Sequence, residues 1–103
     1  MEYEKFKKDG EVAVLISPGF GAGWHSWNEK YEGLLFDKDI VIPVLEKNFD
    51  LARKVAEEKY PEAYISADQL EVVWIEEGTI FDIEEYDGNE RIHIIGGREY
   101  HIA

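Results

Sequence analysis

The residues best equipped for chemistry in this chain lie in one stretch, Ser17-Pro18-Gly19-Phe20-Gly21-Ala22-Gly23-Trp24-His25-Ser26-Trp27-Asn28. Ser17, His25, Ser26 and Asn28 supply hydrogen-bonding groups, while Phe20, Trp24 and Trp27 supply flat apolar faces. Gly19, Gly21 and Gly23 let a backbone or a ligand approach closely. Backbone amides in such a loop can cradle an anion. A base stacked on an aromatic ring gains roughly 1–3 kcal/mol. Together these ten residues predict a pocket for a nucleotide-like or other planar polar ligand, lined by Ser17, Gly19, Phe20, Gly21, Gly23, Trp24, His25, Ser26, Trp27 and Asn28. A second reading fits equally well: the two tryptophans plug the core beneath a tight loop, and the glycines serve only the turn.

Known phosphate-binding signatures do not fit the stretch. A dinucleotide fingerprint needs a third glycine where Trp24 stands, and no Gly-Lys-Ser/Thr triplet exists for a Walker loop. Ser17 has no Gly-x-Ser-x-Gly elbow and reads as a strand-end cap. His25 and Ser26 are adjacent, and chain neighbours rarely face one another, so a small hydrolase using His25 is the weakest of the functional readings. His93 and His101 are expected on neighbouring strands sharing a face, where Asp82 or Glu84 would complete a divalent-metal site. No His-x-His or His-Glu-x-x-His spacing supports that, and cross-strand polar surface is the expectation, with no metal and no cofactor. Glu76-Glu77 and Glu84-Glu85 read as solvated turn and strand-face charges.

The elements that must position the loop follow from the hydrophobic pattern. Glu11-Val12-Ala13-Val14-Leu15-Ile16 is a strand whose continuous apolar run implies burial on both faces, and Ser17-Pro18-Gly19 ends it. Residues 1–10 read as a short helix or a loose arm. Asp37 or Asp39 caps a helix carrying Ile40, Val41, Val44 and Leu45 on one face, with Pro43 arguing for a late start or a kink. Asn48 caps a second helix with a Leu51, Ala52, Val55 and Ala56 stripe that ends before Pro61. Ser66-Ala67-Asp68-Gln69-Leu70 suggests a single turn. Strands follow at 71–75 and 79–86, the Asp87-Gly88-Asn89-Glu90 hairpin signal returns the chain through 91–95, and Gly96-Gly97 precedes a short edge strand at 99–102. The expected fold is one α+β domain over 1–103, ordered β-loop-α-α-β-β-β(-β), with two helices packed on one face of a mainly antiparallel sheet.

The 103 residues and 45% hydrophobic content allow a real core, and the absence of cysteine excludes disulfides and thiolate chemistry. With 23 acidic against 11 basic residues, the net charge of −12 disfavours direct contact with nucleic acid or anionic lipid. It suits solubility, binding to a basic protein, or mimicry of nucleic acid by an inhibitor. No apolar run reaches a membrane span, and residues 1–10 hold no signal-peptide core, so a cytoplasmic location is expected.

The run Ser17 to Trp24, with Ser26, Trp27 and Asn28, resembles a motif shared by a family of short phage, prophage and bacterial proteins. The similarity extends in outline to Leu35-Phe36-Asp37, to Glu77-Gly78-Thr79 and to Glu85-Tyr86-Asp87-Gly88. His25 departs from it, standing where a small hydroxyl residue is usual. The resemblance implies a phage or prophage setting, and hence the host cytoplasm, and it implies no catalytic residue. The functional expectation is a non-enzymatic accessory protein whose loop binds a planar polar ligand and counters a host defence. The alternative is an acidic inhibitor of a host protein. Either acts as a monomer or, through the 99–102 edge, as a homodimer.

Overall fold

The computed structural model describes residues 3–19, 23–65, 69–94 and 101–103. Its elements are β1 (Lys7–Lys8), β2 (Glu11–Ile16), α1 (Gly33–Phe36), α2 (Lys38–Leu45), α3 (Phe49–Lys59), β3 (Glu71–Glu76), β4 (Ile80–Tyr86), β5 (Asn89–Ile94) and β6 (His101–Ile102). The α+β class holds. The strands divide between two three-stranded antiparallel sheets, ordered β1-β2-β3 and β5-β4-β6, where the sequence suggested one. The division falls at the Glu77-Gly78 turn. There Gly78 takes a φ of +88°, and its N–H donates to the Ala103 carbonyl. β4 is thereby delivered to β5 and β6 instead of extending the first sheet.

β2 is the central strand that its apolar run predicts. Val12, Ala13, Val14 and Leu15 are wholly buried. Successive side chains point to opposite faces. Ala13 and Leu15 therefore meet Ile40, Val41, Val44, Ala52 and Ala56 of the helices. Val12 and Val14 meet Leu35, Phe36, Ile75 and Phe81 on the other side. The chain is thus layered as α2 and α3, then the first sheet, then α1 with the second sheet.

The helices start where their caps lie. Asp37 accepts from the Asp39 N–H at 3.0 Å, and Asn48 accepts from the Leu51 N–H at 3.2 Å. α2 runs through the buried Pro43 from Lys38 without a late start. Burial of Ile40, Val41 and Val44 along its inward stripe outweighs the one hydrogen bond that proline removes. Leu45 and Leu51 are exposed, against expectation. Leu45 is the last helical residue, and α3 turns Phe49, Ala52, Val55 and Ala56 inward instead.

The N-terminal segment is docked from residue 3. Tyr3 stacks on Phe36, Lys5 bridges Asp37, and Lys7–Lys8 pairs with β2 across an Asp9-Gly10 turn. Asp87 and Gly88 take φ of +49° and +89°, the geometry that favours Asp-Gly in a two-residue hairpin. His93 and His101 pair with opposite sides of β4, facing Asp82 and Phe81 respectively. Adjacent β4 positions present opposite faces, so the two imidazoles do not share one. Of the remaining sequence readings, those on Phe20, Gly21 and Ala22, on 66–68 and on 95–100 lie outside the described residues.

Candidate functional site

Strand β2 hands the chain to the loop at Ser17, and Ser17 is anchored at once. Its N–H donates to Glu90 Oε1 at 3.0 Å, its carbonyl accepts from the Glu90 N–H at 2.8 Å, and its hydroxyl donates to the Gly88 carbonyl at 2.6 Å. The other carboxylate oxygen, Glu90 Oε2, accepts from the N–H groups of Trp24 and Ser26, each at 2.8 Å, and from the Ser26 hydroxyl. Glu90 is 1% exposed. The group that these amides surround is thus a carboxyl side chain of β5.

Sequence reasoning placed Glu90 only at a hairpin. The signal that identifies it is period-two alternation along β5. Glu90 shares a face with Ile92, which packs against the core, and a carboxylate on such a face requires donors.

Beyond Trp24 the chain makes a single 3-10 turn, His25–Trp27, closed by the Asn28 N–H donating to the His25 carbonyl at 2.8 Å. Three residues per turn send three side chains in three directions. Ser26 reaches Glu90. His25 turns toward β6, its ring edge-to-face with His101 at 4.9 Å between centroids. Trp27 turns outward and stacks on Tyr64 at 6.0 Å and 16°. Trp24, before the turn, is 1% exposed and donates its indole N–H to the Leu34 carbonyl at 2.6 Å.

Asn28 fixes the outward pair. Its amide donates to the carbonyls of Trp24 and Tyr64, both at 2.9 Å, and its oxygen accepts from the Tyr64 N–H at 2.7 Å. Gly23 is required for a separate reason: a Cβ there would lie 2.6 Å from Trp27 Cδ1. Gly19 is exposed and meets nothing.

His25 is 3% exposed, and its Nε2 is buried with no hydrogen-bond partner among the described residues. Burial, reinforced by the neighbouring His101, lowers its pKa to about 4. The charge of Glu32 and a backbone hydrogen bond at Glu29 act in the opposite direction. His101 itself faces Glu32, Nδ1 to Oε2 at 3.1 Å.

His25, Ser26, Glu29, Asp82, Ile83 and His101 line a cavity of about 70 Å³. Small-molecule sites span roughly 300–1,000 Å³, so this cavity is too small for a nucleotide-like ligand. A larger cleft of about 390 Å³ lies on the β4–β5 hairpin, at Glu84, Glu85, Tyr86, Asn89 and Arg91, and uses none of the loop residues. Among the described residues no group of three or more histidine, aspartate or glutamate side chains is placed to hold a metal. His93 lies exposed, its Nδ1 3.4 Å from Glu84.

The structure therefore sorts the predicted site. Ser17, Trp24, Ser26 and Asn28 hold the loop, His25 is enclosed, and Gly23 backs Trp27. Trp27 faces outward, joined by Tyr64, which sequence reasoning missed because the two lie 37 positions apart. Among the described residues no helix is long and apolar enough to cross a membrane. Comparison with protein-family models, with curated proteins and with solved structures finds no match for this chain.

Proposed function

We propose that this chain is a small acidic, non-enzymatic binding protein that receives a planar polar group on the outer side of its loop, at Trp27 and Tyr64. The observation that carries this reading is the exposure of the stacked pair, 39% for Trp27 and 59% for Tyr64, on a backbone held by Asn28. Large exposed aromatic surface on a rigid support favours recognition, because little conformational entropy is lost on binding. The hydroxyls of Ser17 and Ser26 donate to Gly88 and Glu90, so neither is presented to His25 as a nucleophile. The resemblance of 17–28 to short phage and prophage proteins supports an accessory role toward a host cell, including interference with a defence pathway.

The test is a titration, followed by tryptophan fluorescence, with adenosine, guanosine and arginine amide as planar probes. At least one of these, or the arginine peptide described below, should bind, and Trp27→Ala should weaken that binding while the thermal midpoint stays within a few degrees. Equal binding by the variant, or no binding of any probe, including the arginine peptide described below, sinks the reading.

A further inference from the structure

We propose that the planar group is an arginine guanidinium carried by a basic protein segment, laid against Tyr64 and the exposed edge of Trp27; this rests on the reading above. Several features point the same way. The amides of Ser17, Trp24 and Ser26 are filled by Glu90 and so are closed to a phosphate. The net charge of −12 repels a phosphate and attracts a cation. Exposed carboxylates precede Tyr64 in sequence. Glu62 is two residues before Tyr64 and lies 3.5 Å from the Tyr31 hydroxyl, and Glu58 and Glu57 are exposed on the preceding helix. Three residues beyond Trp27, a cation already lies over a ring, with Lys30 Nζ 5.2 Å from the centre of Tyr31.

Magnitude decides between a free small cation and a protein segment. A guanidinium on an exposed aromatic face strengthens binding only about two- to fivefold. Even millimolar affinity requires a gain on the order of a thousandfold over the molar reference. The rest must come from several charges acting together, which a basic segment supplies and a single small molecule does not. Arginine is preferred over lysine because its planar, weakly hydrated head stacks on rings.

The experiment uses three synthetic peptides of equal length, each with four cationic or matched positions separated by Gly-Ser: arginine, lysine and neutral citrulline. The arginine peptide should bind, with an affinity that falls steeply as salt rises. The lysine peptide should bind about three- to fivefold more weakly, and the citrulline peptide should not bind. Trp27→Ala and Tyr64→Leu should each lower arginine-peptide affinity to the lysine level while leaving lysine-peptide affinity unchanged. The second variant keeps the test valid if the first disturbs the loop. Equal affinity for arginine and lysine peptides, unchanged by either variant, overturns the proposal, because acidity alone would then explain binding. A nucleoside bound at Trp27 in preference to the arginine peptide also overturns it, and leaves the broader reading in place. Absence of binding by every probe overturns both.

Discussion

Trp24 is 1% exposed and gives its indole N–H to the Leu34 carbonyl, whereas Trp27, three positions later, is 39% exposed and lies on Tyr64. In the sequence the two look like a matched pair lining one pocket. In the fold a single 3-10 turn separates them, and each belongs to a different side of the loop. The inner side is a brace: Trp24 in the helix-facing core, with Glu90 gathering the loop's amides. The outer side is a presented surface. Hydrogen-bonding residues beside aromatics do not by themselves make a pocket, because the partner that satisfies them can come from the same chain.

The comparison breaks most readily at Trp24. Trp24→Ala should cost about 3–5 kcal/mol of stability in denaturant unfolding, because it empties core volume and strands the Leu34 carbonyl. A loss below about 1 kcal/mol would mean that the ring is not core. Glu90→Gln comes next. The amide keeps the shape but turns an NH2 group toward N–H donors, and should cost about 2–3 kcal/mol. Hydrogen exchange at Trp24 and Ser26 should accelerate with it; unchanged exchange would show that the carboxylate does not hold them.

The enclosed histidine predicts a pH dependence. Folded His25 titrates at about 4, below the usual 6.5. Between those values the unfolded chain binds a proton that the folded chain refuses, so stability falls as pH drops from 6.5 and the loss levels off below 4. The slope from this group is at most about 1.4 kcal/mol per pH unit. His25→Phe should flatten it, and an undiminished slope would assign the effect elsewhere. The smallest stability effect belongs to the outer side: Trp27→Ala should cost about 1 kcal/mol or less, the worth of an exposed aromatic stack. A cost as large as that of Trp24→Ala would erase the distinction between the two tryptophans.

Much of the fold was legible in residue patterns. The continuous apolar run of 12–16 marked a doubly buried strand, the Asp37 and Asn48 caps marked helix starts, and Asp87-Gly88 marked a hairpin. Each is a local rule with a local cause. The division into two sheets was not legible, because strand partners are chosen at long range, as where Gly78 bonds to Ala103, a contact with no local signature. At the loop, residue types pointed to free amides and to aromatic faces. Which group those amides surround, and which ring faces outward, is decided by Glu90 and Tyr64, both remote in sequence.

Two buried carboxylates show why remoteness matters for assembly. Asp37 finds its partners within its own neighbourhood: the Asp39 N–H, the Tyr60 hydroxyl at 2.9 Å and Lys59 at 2.7 Å. Glu90 follows its loop partners by 64 to 73 positions. During synthesis at about 5–20 residues per second, the loop leaves the ribosome roughly 3–15 s before the residue that closes it. Until then its amides and tryptophans stand open to solvent and to proteases. The clasp is therefore the late step of assembly: a chain that stops short of Glu90 lacks the carboxyl group that gathers the amides of Ser17, Trp24 and Ser26.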